Sequence, residues 1–213
     1  MAAGYRRKVD STFESRKNLI LVCFEFLTMI IIGITGTLGA GKGTIVEYLV
    51  EVKGFIHFSV RAFLLEEIRR LGLPQNRDSM FNLANELRAK HGPSFVTDQL
   101  LLLAEKTGKS CIIESIRTPG EITSLRRNKE FYLFAVDALP EIRYRRIYER
   151  RSETDSITFG TFLENEKREM TSGDPNKQNL AECIRQADFV FGNDGGKEDL
   201  FLQVEKALAS VTG

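Results

Sequence analysis

Short apolar stretches alternate with amphipathic segments along most of the chain. Apolar runs of this length are typical of strands that are buried on both faces of a parallel sheet. The predicted strands cover residues 29–35, 55–59, 110–114, 131–137 and 188–191.

The segments between the strands place apolar residues at helical spacing. In the first long segment, Leu64, Ile68 and Leu71 fall on one side of a predicted helix. Residues 118–121 read Thr-Pro-Gly-Glu, a capping box with proline at the first helical position, which marks the start of another helix. The predicted helices cover residues 61–71, 79–90, 94–107, 140–151, 156–170, 177–187 and 196–209.

Strands that alternate with helices predict an α/β protein. We expect a doubly wound, five-stranded parallel sheet flanked by helices in three layers, with ligands bound at the carboxyl ends of the strands. The chain has 213 residues, which is enough for one such domain with a substantial core.

The first predicted strand runs directly into a glycine-rich turn, and a predicted helix over residues 45–50 follows. Glycines let successive backbone N–H groups turn inward towards an anion, the helix N-terminus adds positive potential, and a lysine reaches the terminal phosphates. A tight turn that binds nothing would need four glycines and a Lys-Gly-Thr to coincide by chance. The pattern therefore predicts a nucleotide-binding loop, made of Gly36, Thr37, Gly39, Ala40, Gly41, Lys42, Gly43 and Thr44.

The residue after the loop lysine departs from the common phosphate-binding loop. That loop carries Ser or Thr directly after the lysine, whereas here Gly43 follows Lys42 and the hydroxyl comes at Thr44. This form resembles the loop of adenylate kinase and related nucleoside monophosphate kinases. The resemblance implies that Thr44 meets the α-phosphate and that Mg²⁺ is held largely through water. It favours ATP and Mg²⁺ as cofactors and speaks against a signalling GTPase.

A carboxylate and an arginine follow the third predicted strand. Glu114 ends the strand, and Arg117 comes three residues later. The pair resembles the Asp-Gly-x-Pro-Arg segment of nucleoside monophosphate kinases, with Glu in place of Asp. We expect Glu114 to hold Mg²⁺ through water or to take a proton from the attacking oxygen, and Arg117 to neutralise an acceptor phosphate. A surface pair at a loop is the alternative.

A basic helix follows the fourth predicted strand, with Arg143, Arg146 and Arg150 on one face. The position resembles the arginine-bearing lid of adenylate kinase and dephospho-CoA kinase, which predicts a lid over about residues 143–172 and catalytic roles for Arg146 and Arg150. A solvated basic face is the alternative. It would pair with the acidic residues Glu164, Glu166 and Glu169.

Three further predictions concern binding residues. The turn after the last strand resembles the adenine-contacting segment of dephospho-CoA kinase, which makes Asn193 an ATP-binding candidate. The alternative is that Asn193 is an ordinary turn residue.

The two-helix connection of about residues 60–108 is expected to be an acceptor-binding insert, with a pattern nearer to deoxynucleoside monophosphate kinases than to adenylate kinase. Its candidate acceptor-binding residues, with helix-surface roles as the alternative, are Ser59, Arg61 and Arg88.

Composition narrows the setting of this domain. The formal net charge of +1 gives no general case for nucleic-acid binding. Three cysteines without Cys-x-x-Cys spacing favour a reduced, cytoplasmic protein. Residues 1–28 are expected to be an extension outside the 29–213 domain. A membrane anchor and a mitochondrial presequence are both less favoured for this extension, because acidic residues interrupt it. The oligomeric state stays open.

Together these features predict an ATP-dependent phosphotransferase. The resemblance implies transfer of the γ-phosphoryl group to a small nucleotide-like acceptor, with a ribo- or deoxynucleoside monophosphate favoured. Dephospho-CoA is the alternative acceptor. From another functional class, an ATP-binding regulatory or assembly protein with little turnover is the second alternative.

Overall fold

A computed structural model of the protein describes residues 29–150 and 157–211. Its five strands form one parallel sheet in the order β2-β3-β1-β4-β5. This confirms the predicted α/β fold with a five-stranded parallel sheet flanked by helices. The strands are β1 (Ile31–Gly36), β2 (Ile56–Ser59), β3 (Cys111–Glu114), β4 (Phe131–Asp137) and β5 (Phe189–Gly192).

The helices observed in the described residues agree with the sequence pattern, with small shifts at their ends. They are α1 (Lys42–Glu51), α2 (Val60–Arg70), α3 (Arg77–His91), α4 (Phe95–Glu105), α5 (Pro119–Leu125), α6 (Pro140–Arg150), α7 (Phe159–Met170), α8 (Leu180–Arg185) and α9 (Lys197–Val211). None of these helices is long and apolar enough to cross a membrane.

Side-chain caps explain two of the helix boundaries. The third helix begins at Arg77, two residues earlier than predicted, because the side chain of Asn76 accepts a hydrogen bond from the backbone N–H of Ser79. The capping box predicted for α5 is present, since Thr118 and Glu121 each accept a hydrogen bond from the other's backbone N–H.

Side chains of β1 alternate between two apolar clusters, one on each face of the sheet. Ile31 packs with residues of α2 to α5, whereas Ile32 and Ile34 pack with residues of α1 and α9. Helices therefore cover both faces, which gives the three layers. Gly33 lies in the middle of β1, where a Cβ atom would come within 2.6 Å of Ile116 Cδ1.

The register of β1 sets the position of the loop that follows it. Ile34 is paired with Glu114 on β3, and Gly36 is paired with Val136 on β4. The chain therefore leaves the centre of the sheet between the carboxyl ends of two neighbouring strands, which is the ligand-binding edge of open α/β sheets.

The predicted division of the chain stays a prediction. Helices α2, α3 and α4 fall in the range predicted for the acceptor-binding insert, and α7 falls in the range predicted for the lid. The predicted extension, residues 1–28, and part of the predicted lid, residues 151–156, lie outside the described residues.

Candidate functional site

The glycine-rich loop has the backbone that close approach to a ligand requires. Gly39 and Gly41 have φ values of 79° and 109°, in the left-handed region that favours glycine. A Cβ atom at Gly39 would lie 2.5 Å from the carbonyl oxygen of Arg143, and one at Gly41 would lie 2.2 Å from Asn193 Nδ2. Larger residues at these two positions would clash with the elements that hold the loop.

A cavity of about 640 Å³ opens in front of the loop, at the carboxyl ends of the strands. Most of the residues predicted from the sequence line it. They are Gly39, Gly41, Lys42, Gly43, Thr44, Arg61, Arg88, Glu114, Arg117, Arg146, Arg150 and Asn193. Four other predicted residues, Gly36, Thr37, Ala40 and Ser59, do not line it.

The side chain of Lys42 folds back onto the glycine-rich loop that carries it. Its Nζ atom donates to the carbonyl oxygens of Gly36 at 2.9 Å and Thr37 at 2.8 Å. Burial of the ammonium, followed by the nearby charge of Arg117, lowers the pKa of Lys42 to about 7. The lysine is therefore a group whose charge responds strongly to an anion placed beside it.

The carboxylate of Glu114 lies at the edge of the cavity and contacts a histidine from the neighbouring strand. His57 Nε2 is 3.2 Å from Glu114 Oε2. Burial acts to raise the pKa of Glu114, but the contact with His57 and the charge of Lys42 outweigh it and leave the pKa lowered. Glu114 is therefore ionised at neutral pH.

A tight turn carries the chain from Glu114 to Arg117. Ser115 has a φ of 74°, which is unusual for a residue with a side chain. The N–H groups of Ser115 and Ile116 both donate to the carbonyl oxygen of Ile34 on β1. This turn brings Arg117 back over the same cavity as Glu114.

Two residues that sequence reasoning did not propose for the acceptor site complete this part of the cavity. Glu169 on α7 forms ion pairs with both Arg117 and Arg77, which comes from the first turn of α3. Burial acts to raise the pKa of Glu169, but the charges of the two arginines outweigh it. Gln178 accepts a further hydrogen bond from Arg117 Nη1 at 3.3 Å. All four residues line the cavity.

The three arginines predicted on one helix face have different surroundings. Arg143 is buried and forms two hydrogen bonds to the carboxylate of Glu166, at 2.8 Å and 2.9 Å. For Arg143 the structure thus shows pairing with an acidic residue of α7. Arg146 and Arg150 line the cavity. The Nη1 atom of Arg146 is buried and has no hydrogen-bond partner among the described residues.

Such an atom indicates a missing partner, because buried polar groups in proteins are almost always hydrogen-bonded. The Nε atoms of Arg77 and Arg88 are also buried without a partner in the described part of the chain. All three arginines line the same cavity. The unsatisfied donors there fit an anionic ligand.

Two predicted binding residues make structural contacts. Arg88 is 1% exposed, and its Nη2 atom lies 3.1 Å from Glu121 Oε1 on α5. The Oγ atom of Ser59 accepts from the N–H of Ala62 at 3.2 Å and caps α2. Ser59 therefore supports the helix that borders the cavity and does not reach the ligand space.

Side chains from two strand ends brace the loop. Asn193 is buried, and its Nδ2 atom donates to the carbonyl oxygen of Ala40 at 2.7 Å. Thr37 Oγ1 donates to Asp137 Oδ1 at 2.5 Å. The contact that the structure shows for Asn193 is thus with the loop, and its contact with adenine stays a prediction. Asp137 had no distinguishing signal in the sequence beyond its place at a strand end.

The donor set near the loop fits a magnesium ion held mostly by other ligands. Thr44 and Glu114 both line the cavity. Within residues 29–150 and 157–211 there is no group of three or more His, Cys, Asp or Glu side chains placed to hold a metal ion. Mg²⁺ commonly keeps several waters and binds through one or two protein oxygens together with substrate phosphates.

Comparisons with known proteins agree with this architecture. Residues 32–172 match the family described as AAA domain. The chain is 30% identical over 186 residues to a UPF0200 protein of Methanococcus maripaludis strain C6. The aligned region covers 86% of this chain and 98% of that protein.

Two solved structures show the same fold. The structure of TT1252 from Thermus thermophilus superimposes with a TM-score of 0.57 at 24% identity and covers 87% of this chain and 99% of that one. A gluconokinase from Sinorhizobium meliloti 1021 superimposes with a TM-score of 0.51 at 15% identity, over 87% of this chain and 94% of that one.

Proposed function

This chain belongs to the AAA domain family and to the UPF0200 proteins, and we propose that it is an ATP-dependent phosphotransferase. Its acceptor would be a small nucleotide-like molecule, with a ribo- or deoxynucleoside monophosphate favoured. The observation that carries the proposal is one cavity shared by the glycine-rich loop and arginines from α2, α3, α6 and the turn after β3. One of these, Arg146, has a buried Nη1 atom without a partner in the described residues.

The nucleotide end of the cavity would be the loop and the start of α1. Backbone N–H groups at Gly41, Lys42 and Gly43 are available to phosphate oxygens because they precede or begin a helix. The Lys42 ammonium would exchange its two carbonyl acceptors for oxygens of the β- and γ-phosphates. That exchange places a full positive charge where negative charge is concentrated.

Thr44 and Glu114 are the residues that would hold Mg²⁺, directly or through water. When bound, the ion would supply charge neutralisation at the phosphate oxygens. The Glu114 carboxylate suits this position, because its pKa is lowered and it stays ionised at neutral pH. His57 fixes the carboxylate from the side of β2.

The part of the cavity lined by α2, α3 and Arg117 has the character that a nucleotide-like acceptor needs. One wall is apolar and comes from α2 and α3. Arg77 and Arg117 line the same part and supply positive charge. A nucleoside monophosphate carries a flat, weakly polar base and a phosphate, so it matches both surfaces. The apolar wall consists of Val60, Leu64, Met80, Phe81 and Ala84.

Arg146 and Arg150 would act on the group in transfer. Phosphoryl transfer depends mainly on positioning and on neutralising charge, and guanidinium groups provide both. The unsatisfied Nη1 atom of Arg146 is the donor that such a group would meet.

The state of Glu114 favours a phosphate over a hydroxyl as the attacking group. A hydroxyl, as in dephospho-CoA, needs a general base whose pKa lies near the working pH. The pKa of Glu114 is shifted down, which makes the carboxylate a weaker base. A monophosphate attacks through an oxygen that is already ionised. The lowered pKa of Glu114 thus favours a monophosphate over dephospho-CoA as the acceptor.

The test is ADP release from Mg-ATP against ribo- and deoxynucleoside monophosphates and dephospho-CoA. Lys42→Ala is the blank. Lys53→Ala is the matched control, because Lys53 follows α1 and pairs with Glu205 outside the cavity. Turnover with one acceptor that Lys42→Ala abolishes and Lys53→Ala keeps would support the proposal. Tight Lys42-dependent ATP binding without turnover would overturn it in favour of a nucleotide-gated regulator.

A further inference from the structure

The carboxylate of Glu169 occupies the space between two cavity arginines that come from different elements. Arg77 Nη2 contacts one carboxylate oxygen, and Arg117 Nη1 contacts the other. Glu169 is 5% exposed and lies near the end of α7, whereas Arg77 begins α3 and Arg117 follows β3. The three residues are thus brought together only by the tertiary fold.

This cluster lies in the cavity and is not a closed structural ion pair. All three residues line the ligand space, beside Met80 and Phe81 of α3. Arg77 also keeps a buried Nε atom with no hydrogen-bond partner in the described part of the chain. One carboxylate therefore does not satisfy the donors that the two arginines present.

We propose that Glu169 is an internal substitute for the anionic group of the acceptor. On binding, a phosphate of the acceptor would take the place of the Glu169 carboxylate on Arg77 and Arg117. This inference rests on the proposed function for the identity of the acceptor, but the exchange itself needs no turnover.

The chemistry of the two anions favours this exchange. A phosphate carries up to two negative charges and three acceptor oxygens, whereas a carboxylate carries one charge and two oxygens. The additional oxygen can accept from the unsatisfied Nε atom of Arg77. The carboxylate competes at a high effective concentration because it is part of the same chain. The substitute thus lowers the affinity for weak anions and leaves the site to ligands with a phosphate.

The exchange would also release the last turn of α7. That turn is held to α3 by the pair of Glu169 with Arg77 and by Arg168, which lies 3.2 Å from Asp78 and stacks 4.4 Å from the Phe81 ring centroid. The Arg168 contact with Asp78 is exposed and contributes little. Glu169 is therefore the main polar link between the end of α7 and the acceptor side of the cavity.

The experiment measures binding of inorganic phosphate to protein saturated with Mg-ADP, so that the loop is already filled. Glu169→Gln keeps the size of the side chain and removes its charge. We expect it to bind phosphate about tenfold more tightly than the unchanged protein, a coupling of ordinary size between two competing ligands. Glu164→Gln, an exposed change on the same helix, is the matched control and should bind phosphate like the unchanged protein. Adding Arg77→Gln to Glu169→Gln should remove the gain.

Unchanged or weaker phosphate binding by folded Glu169→Gln would overturn the inference. If that variant does not fold, amide hydrogen exchange on the unchanged protein decides. Phosphate should speed exchange in residues 167–170 if Glu169 is displaced, and slower or unchanged exchange there would refute the displacement. Both readouts concern binding alone. Failure of the turnover panel with success here would leave the anion exchange intact and remove only the kinase role, whereas the reverse result would remove only the exchange.

Discussion

The amide nitrogen of Asn193 donates to the carbonyl oxygen of Ala40 across 2.7 Å, although the two residues are 153 positions apart in the sequence. This hydrogen bond joins the turn after β5 to the glycine-rich loop. It also explains why position 41 must be glycine, since a Cβ atom there would meet the same Asn193 nitrogen. The shape of the loop is thus set by a residue of the last strand end.

Asn193→Ala should destabilise the protein and weaken ATP binding. The substitution leaves the buried carbonyl of Ala40 without its donor, and an unsatisfied buried acceptor costs about 1–3 kcal/mol. The free energy of unfolding in urea and the ATP affinity measure the two effects. Asn193→Asp should be worse still, because a carboxylate would face the carbonyl oxygen. A stable Asn193→Ala protein with unchanged ATP affinity would show that the brace is dispensable.

Binding of Mg-ATP should take up a proton through Lys42. The pKa of the free lysine is lowered to about 7, and phosphate charge will raise it in the complex. Below pH 7 the ammonium is protonated both free and bound, so uptake through this group is small. Above pH 7 the free lysine loses its proton and the bound one keeps it, so uptake grows as pH rises towards 8.5.

Titration calorimetry in buffers of different ionisation enthalpy measures this uptake directly. Lys42→Arg provides the blank, because the arginine stays protonated in the free and the bound protein and protons taken up by ATP itself are common to both proteins. Equal proton uptake by both proteins at pH 8.5 would show that Lys42 is charged before ATP arrives.

Alanine at position 41 and alanine at position 43 should have opposite outcomes. Position 41 has a positive φ, and a Cβ atom there would lie 2.2 Å from Asn193 Nδ2. Gly41→Ala should therefore distort the loop and greatly weaken nucleotide binding. Gly43 is helical, and a Cβ atom there meets nothing within 4 Å. Gly43→Ala should therefore fold normally and gain up to about 1 kcal/mol of stability from helix propensity. Thermal unfolding and ATP affinity of the pair provide the comparison.

Arg88→Met should act on stability more than on acceptor binding. Arg88 and Glu121 are both fully buried, and removal of one partner of a buried ion pair costs about 3–5 kcal/mol. Arg70→Met, which breaks the exposed pair with Glu67, should leave the unfolding free energy almost unchanged. If Arg88→Met instead leaves the stability unchanged and raises the KM for the acceptor, Arg88 acts by binding the acceptor.

Glu114→Gln separates the two roles considered for this carboxylate. If the group holds Mg²⁺, the concentration of magnesium needed for half-maximal activity should rise, and saturating magnesium should restore much of kcat. If it is a general base, kcat should fall about 10²–10⁴-fold at any magnesium concentration. Activity measured against magnesium concentration, with the preferred acceptor, distinguishes the two roles. The lowered pKa of Glu114 favours the role in holding Mg²⁺.

The features that sequence predicted well are those encoded by neighbouring residues. The five strands, the glycine-rich turn between β1 and α1 and the capping box of α5 each depend on a few consecutive positions, and the described structure contains them. The observed strand ends differ from the predicted ones by up to two residues. Just before β5, for instance, the N–H of Leu133 donates to the carboxylate of Asp188, while the N–H of Asp188 donates to the carbonyl oxygen of Leu133.

Contacts between distant residues could not be read in this way. Glu169 was considered only as part of an acidic surface, because nothing near it in the sequence indicates Arg77 or Arg117, which lie 92 and 52 positions away. The buried ion pair of Arg88 with Glu121 could not be predicted either, because the two residues are 33 positions apart in the sequence.

The position of β2 at the edge of the sheet has an evolutionary consequence. Among the described residues this strand pairs only with β3, and α2, which with α3 supplies the apolar wall of the cavity, leaves directly from it. The loop, in contrast, leaves the central strand, where pairing on both sides fixes its register. Changes in α2 and α3 can therefore accumulate with little effect on the glycine-rich loop. Descendants of one ancestor can diverge in the ligand that the apolar wall of the cavity accepts and still share the same loop.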